Sequence, residues 1–173
     1  LALDEQNRIL LVQNLNGCEI LLSAMKLHQG SARLQSSAYG ALWNMSHDSR
    51  NREIIGQDLD IINEVVIGMR THRDNANVQK NGCGLFWSLS EDDNNCVLLG
   101  QDIKIGKEVV AAMRVHQMNA DVQNAACGLL QKFAKSDKGR DIVLQDGALE
   151  RVLQACENFP TLVMCTAALE TLE

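Results

Sequence analysis

Apolar residues recur along this chain in clusters with helical spacing, and the clusters themselves recur. Leu21, Leu22 and Met25 fall on one helix face in an i, i+1, i+4 pattern; Val65, Val66 and Met69 repeat it, and Val109, Val110 and Met113 repeat it again. Each cluster predicts a helix of about three turns. A polar break follows, in which Ser31, Asn75 or Asn119 is placed to accept from the free N–H groups of a second, longer helix. The long helices carry apolar stripes: Leu34, Ala38, Ala41, Leu42 and Met45, then Val78, Gly82, Leu85, Phe86 and Leu89, then Val122, Ala126, Leu129, Leu130 and Phe133. Asn51 to Ile55 and Asn95 to Leu99 predict a short helix ending near Gly56 and Gly100, where glycine is expected to adopt φ > 0 and turn the chain. Every period therefore holds a medium, a long and a short helix.

The period is about 44 residues. That offset aligns Met25, Met69 and Met113; His28, His72 and His116; Gln35, Gln79 and Gln123; and Gly40, Gly84 and Gly128. It also joins Trp43 to Trp87, Asp48 to Asp92, Asn51 to Asn95, and Gly56-Gln57-Asp58 to Gly100-Gln101-Asp102. Asn7, Arg8 and Gln13 fall on Asn51, Arg52 and Gln57, so residues 1–14 read as the end of a preceding repeat. Complete units span 15–58, 59–102 and 103–146, and Asp146-Gly147-Ala148-Leu149 opens an incomplete unit over 147–173. The chain opens without Met and closes on helix-like residues, which reads as one domain cut from a longer protein.

One unit cannot cover its own apolar face, whereas neighbours stacked about 8–10 Å apart bury a continuous core. The expected fold is all-α, a right-handed α-solenoid with a concave side. Composition agrees: 173 residues with 46% hydrophobic residues and one proline suit a packed helical chain. The 16 Lys+Arg are dispersed and the net charge is −6, so no nucleic-acid or anionic-membrane footprint is expected. No apolar run reaches the length of a membrane span, and the opening residues lack the regions of a secretion signal, which points to the cytoplasm or the nucleus. The cysteines at 18, 83, 96, 127, 156 and 165 form no C-x-x-C pair, and Cys83 and Cys127 occupy the same repeat position. They read as small buried residues of a reduced compartment rather than disulfides or a zinc site.

Ser37-Ala38-Tyr39-Gly40-Ala41-Leu42-Trp43-Asn44-Met45-Ser46-His47-Asp48 and the residues after it resemble the third helix and following turn of a catenin-like armadillo repeat. Gly82 to Ser90 and Ala126 to Ala134 carry weaker versions, so the resemblance covers nearly the whole chain. In that family the third helices, the long ones here, line a concave groove that holds a protein segment, and an asparagine near their C-terminal ends grips the backbone of an extended peptide. Asn44 matches that position; Ser88 and Lys132 depart from it. The preceding position holds Trp43, Trp87 and Gln131. Pattern alone reads the tryptophans as packed core, and the resemblance turns them towards the groove, where rings offer stiff contact area. Steps of three or four residues along the long helices add Arg33, Ser37, Gly40 and His47; Asn77, Asn81, Gly84 and Glu91; and Asp121, Ala125, Gly128 and Lys135. Glycine at 40, 84 and 128 either leaves the groove floor low for a ligand or lets adjacent helices pack closely.

The three aligned histidines lie in different repeats, too far apart to share a metal, and read as caps near the ends of the medium helices. Glu91-Asp92-Asp93 reads as a solvated loop, and Asn44-Met45-Ser46 is a glycosylation sequon placed inside a helix. No nucleophile–base pair, phosphate loop or H-E-x-x-H is present, and Gly100 to Lys107 has the wrong spacing for a Walker loop. The sequence therefore points to a non-enzymatic interaction scaffold without cofactor or metal, its partner a protein or peptide segment. The alternatives are a regulatory or architectural module of a larger enzyme or cytoskeletal assembly, or self-association through uncapped repeat ends.

Overall fold

The computed structural model describes residues 5–145 and 147–172. Leu1 to Asp4, and Asp146 with the opening it was expected to give a further unit, lie outside the described residues. The described residues form helices α1 (Glu5–Gln13), α2 (Gly17–Leu27), α3 (Ala32–Met45), α4 (Ser49–Gln57), α5 (Leu59–Thr71), α6 (Ala76–Leu89), α7 (Asp93–Gly100), α8 (Ile103–Val115), α9 (Ala120–Phe133), α10 (Asp137–Gln145), α11 (Ala148–Asn158) and α12 (Val163–Leu172). Medium, long and short helices alternate as the period requires.

Packing follows the same period. The long helices stack α3 on α6, α6 on α9 and α9 on α12; the medium ones α2 on α5, α5 on α8 and α8 on α11; the short ones α1 on α4, α4 on α7 and α7 on α10. Three rows of helices, each built by repetition, give an all-α, solenoid-like stack with an extended surface. The core runs between the rows, with Met25, Met69 and Met113 buried at equivalent places and Tyr39, Phe86 and Phe133 the largest enclosed side chains.

Each long helix starts at the expected cap. Ser31 Oγ accepts from the Leu34 N–H, Asn75 Oδ1 from those of Asn77 and Val78, and Asn119 Oδ1 from that of Val122. The short helices start earlier than the sequence suggested, because Asp48 and Asp92 cap them at the N–H groups of Asn51 and Asn95. Of the acidic run at 91–93, Glu91 lies in the exposed turn before α7, Asp92 is the cap and Asp93 the first helical residue. Asn44 and Met45 lie in α3 and Ser46 is its buried C-cap.

The expected role of Gly56 and Gly100 is overturned. Both lie inside helices, and among the described residues only Asn16 and Gly147 have positive φ. Gly56 is small for a different reason: a Cβ there would collide with the amide of Asn95 from the next repeat, and one at Gly100 would press on the Phe133 ring at 3.2 Å. These glycines let layers approach rather than turn the chain.

Aligned polar residues turn out to be staples. Gln35, Gln79 and Gln123 are buried, and each donates from Nε2 to two carbonyls at the end of its medium helix: Met25 and His28, Met69 and His72, Met113 and His116. Asn51 and Asn95 reach one layer back, their amides donating to the carbonyls of Arg8 and Arg52 at 2.9 Å. The Nε2 atoms of His72 and His116 lie 2.7 Å from the carbonyls of Gln29 and Arg73, also one layer back. The histidines sit at the C-caps of α5 and α8, as expected, but the side-chain partner belongs to the neighbouring repeat.

Candidate functional site

The residues the sequence singled out lie on α3, α6, α9 and the turns after them, most of them at least partly exposed but Gly84, Ser88, Ala125 and Gly128 buried, and their geometry is set by an interlock between rings and glycines. Trp43 lies over the next long helix at Gly84, where a Cβ would fall 2.7 Å from the indole. Trp87 repeats this over Gly128, where the distance would be 2.6 Å. Both indoles are half-buried and pack against the core while keeping an open face. Gly84 and Gly128 are buried beneath them, so two of the three aligned glycines serve packing rather than a low floor. Gly40 differs: its nearest foreign atom is Asn81 Nδ2, at 3.4 Å from a built Cβ.

Two hollows flank the rings. One, of about 240 Å³, is lined by Trp43, His47, Arg52, Trp87, Ser88 and Glu91. The other, of about 220 Å³, is lined by Trp43, Lys80, Trp87, Asp121, Asn124 and Ala125. A third, of about 310 Å³, lies towards the starts of the long helices, where Arg33, Ser36, Ser37 and Asn77 meet. The structure thus gathers Trp43, His47, Trp87, Ser88 and Glu91 in one place and Asp121 and Ala125 in the next.

Polar contacts fix the walls. Ser46 Oγ donates to the Trp43 carbonyl and lies 2.8 Å from the Ser88 hydroxyl, so Ser88 joins two layers from a buried position. Asn81 donates to Ser36 O and Oγ at 2.9 and 3.1 Å. Lys132 pairs with Glu91 at 2.8 Å and Lys80 with Asp121 at 3.7 Å. Arg52 donates from Nε to the Ser46 carbonyl and from Nη2 to the His47 carbonyl, closing the end of α3. Among the described residues no hydrogen bond engages the Asn44 amide, which is half-buried beside Trp43. Gln131 is half-buried and Lys135 exposed, further along α9 and its end.

Stepping along the long helices did not find Arg52, because it stands on the short helix α4. Nor did it find Ser36, Lys80 and Asn124, one residue before an expected row. Their signal was present: the three are aligned by the period and polar, on helices whose other aligned rows are largely apolar.

Other groups offer little chemistry. All six cysteines are free, and burial pushes the Cys83 thiol up to about 12, which keeps it protonated and a poor nucleophile. Among the described residues no group of three or more His, Cys, Asp or Glu side chains could hold a metal ion, and no helix is long and apolar enough to cross a membrane. A larger apolar hollow, about 480 Å³ between α1, α2 and α3, is lined by Leu11, Leu15, Gly17, Ile20, Leu21, Ala41 and Met45, away from both tryptophans. Comparison with protein-family models, curated proteins and solved structures finds no match to this chain.

Proposed function

We propose that this chain is a protein-binding scaffold of the armadillo type, a right-handed solenoid whose long-helix face is a concave groove for a protein segment. The observation that carries this reading is the pair of half-buried indoles, each held rigid by a glycine of the next layer and each open on a hollow. Stiff aromatic surface with polar groups at its edge is what binding hot spots are made of. The Asn44 amide, without a partner among the described residues, is placed to bond a ligand backbone. No catalytic role is assigned to any residue.

A second reading, an architectural module extended by another layer or a second copy, draws support from the apolar hollow beside α1 and α2. The indoles favour the first, since an architectural stack has no need of two open rings.

The two substitutions that test the scaffold reading differ in their structural cost. Trp43→Ala with Trp87→Ala removes the anchors but also uncovers two glycines, so stability must be measured alongside. Asn44→Ala removes a group with no internal partner and should leave the melting temperature unchanged. With the chain as bait, a protein retained by wild type and lost from both variants is the expected result. Retention undiminished in both would exclude the long-helix face as its site.

A further inference from the structure

The period also repeats on a surface away from the rings. Near the end of each of the first three short helices stands an exposed apolar residue, Leu10, Ile54 and Leu98 in turn, and after the turn that follows stands a second, Leu15, Leu59 and Ile103. Their exposures run from 43% at Leu10, Ile54 and Ile103 to 66% at Leu59. The core contacts of the second and third layers are made by other residues, Ile55 and Leu99 on the short helices and Ile61 and Ile105 on the medium ones, all buried. Single exposed apolar side chains are ordinary, but two aligned in each of three successive layers form a stripe along the stack. Because α1 packs on α2, α4 on α5 and α7 on α8, the two rows run side by side.

Polar residues beside the stripe are ordered along it. Four residues after Leu15, Leu59 and Ile103 come Glu19, Asn63 and Lys107, all exposed, so charge passes from negative through neutral to positive between the first layer and the third. Neither Glu19 nor Lys107 has an ionic partner among the described residues. Lys104, also exposed, adds to the positive end. In the middle layer Asp60 pairs with Lys26, and Arg50 and Glu53, three residues apart on α4, cancel in net charge. Asp58 and Asp102 keep their charge as caps, half-buried and turned to N–H groups at the positive ends of α5 and α8.

We propose that this stripe is a dimer interface, on which two copies of the chain pack antiparallel about a twofold axis near Ile54 and Leu59, with Glu19 of each beside Lys107 of the other. A twofold interface requires a surface complementary to itself. A stripe apolar throughout, with unlike charges at its two ends, meets that requirement; a stripe of one sign would not. The net charge of −6 and the acidic groups beside the apolar rows disfavour an anionic membrane as the occupant. The dimer goes beyond the scaffold reading and does not depend on it. Its rows lie on the short and medium helices, whereas the tryptophans stand on α3 and α6, so each copy keeps its long-helix face and the pair presents two. Two faces on one assembly raise the avidity for a partner that carries its binding segment more than once.

Leu15 also lines the apolar hollow at the end of the stack, so the decisive substitutions are made in the middle layer. Sedimentation equilibrium of the whole chain between about 5 and about 500 μM should give a mass that rises from one copy to two and stops there, because a twofold interface is closed. Ile54→Glu with Leu59→Glu should keep the chain monomeric over that range at the melting temperature of dilute wild type, since both side chains face solvent in the single copy. Glu19→Lys and Lys107→Glu should each weaken association at least about tenfold by bringing like charges together, and an equimolar mixture of these two variants should recover it as a mixed dimer. A chain that stays monomeric throughout, growth beyond two copies, association that survives Ile54→Glu with Leu59→Glu, or a mixture no better than its components overturns the proposal. Each of these outcomes leaves the scaffold reading standing.

Discussion

At the scale of single residues, the most informative positions are glycines, since the same residue type at the same repeat position meets different neighbours. A methyl group at Gly84 would fall 2.7 Å from the Trp43 ring, while at Gly40 the nearest foreign atom is a side-chain amide at 3.4 Å. Gly84→Ala should therefore cost about 1–3 kcal/mol by overpacking and shift the tryptophan emission. Gly40→Ala should be neutral or stabilising by up to about 1 kcal/mol, because alanine is the better helix former and nothing rigid opposes it. Thermal unfolding of the two variants checks the difference in sign; equal losses at both positions would contradict the interlock. Size is also exchanged between layers. Tyr39 fills the space over Gly68, whereas the positions one period later hold Cys83 and Ala112, a smaller residue facing a larger one.

The same comparison shows what could be read from the sequence. Recurrence of Gly40, Gly84 and Gly128 was visible, and so was that of the tryptophans, but not that one lies on the other. Trp43 and Gly84 are about one period apart less three residues, so the offset that finds the repeat hides the contact between neighbouring layers. Gly56 and Gly100 failed for a related reason. A glycine near a helix end suggests a turn locally, and only the neighbouring layer, through Asn95 and Phe133, reveals close packing.

At the scale of helices, order and caps were legible because they depend on local chemistry. Periodicity placed the medium and long helices, and Ser31, Asn75 and Asn119 marked the starts of the long ones. What holds the helices together was not legible. The buried amides of Gln35, Gln79 and Gln123 satisfy carbonyls that a helix end leaves open, and burying them without bonds would be costly. Gln79→Met keeps length and bulk but removes both donors, so the Met69 carbonyl loses its side-chain partner and that of His72 keeps only the Asn75 N–H. It should destabilise the chain by about 1–3 kcal/mol, with little dependence on salt. A denaturant titration in which Gln79→Met matches wild type would show that water reaches these carbonyls and that the staple contributes nothing.

At the scale of the whole molecule, three rows of helices carry two kinds of information. The repeating part, apolar stripes with glutamine, asparagine and histidine bonds, sets the stack. The part that breaks the repeat sets the face it offers. Asn44 gives way to Ser88 and Lys132, Trp43 and Trp87 to Gln131, and Arg52 to Cys96, whose thiol turns to the Lys132 carbonyl at 3.4 Å instead. Aromatic surface is therefore concentrated around α3 and α6, with Arg52 of α4 beside it. Their overlap was not visible along the chain, since Arg52 stands on a different helix from the rings it accompanies.

The central claim, that this face is where the chain meets its partner, is tested most directly by the two indole N–H resonances. The chain has two tryptophans, so its proton–nitrogen correlation spectrum holds two such signals. Titration with a protein retained by the chain as bait should shift both, together with amides of α3, α4 and α6 around His47, Arg52 and Ser88. Unmoved indole signals, with changes confined to α2, α5 and α8, would place binding on another face and contradict the account.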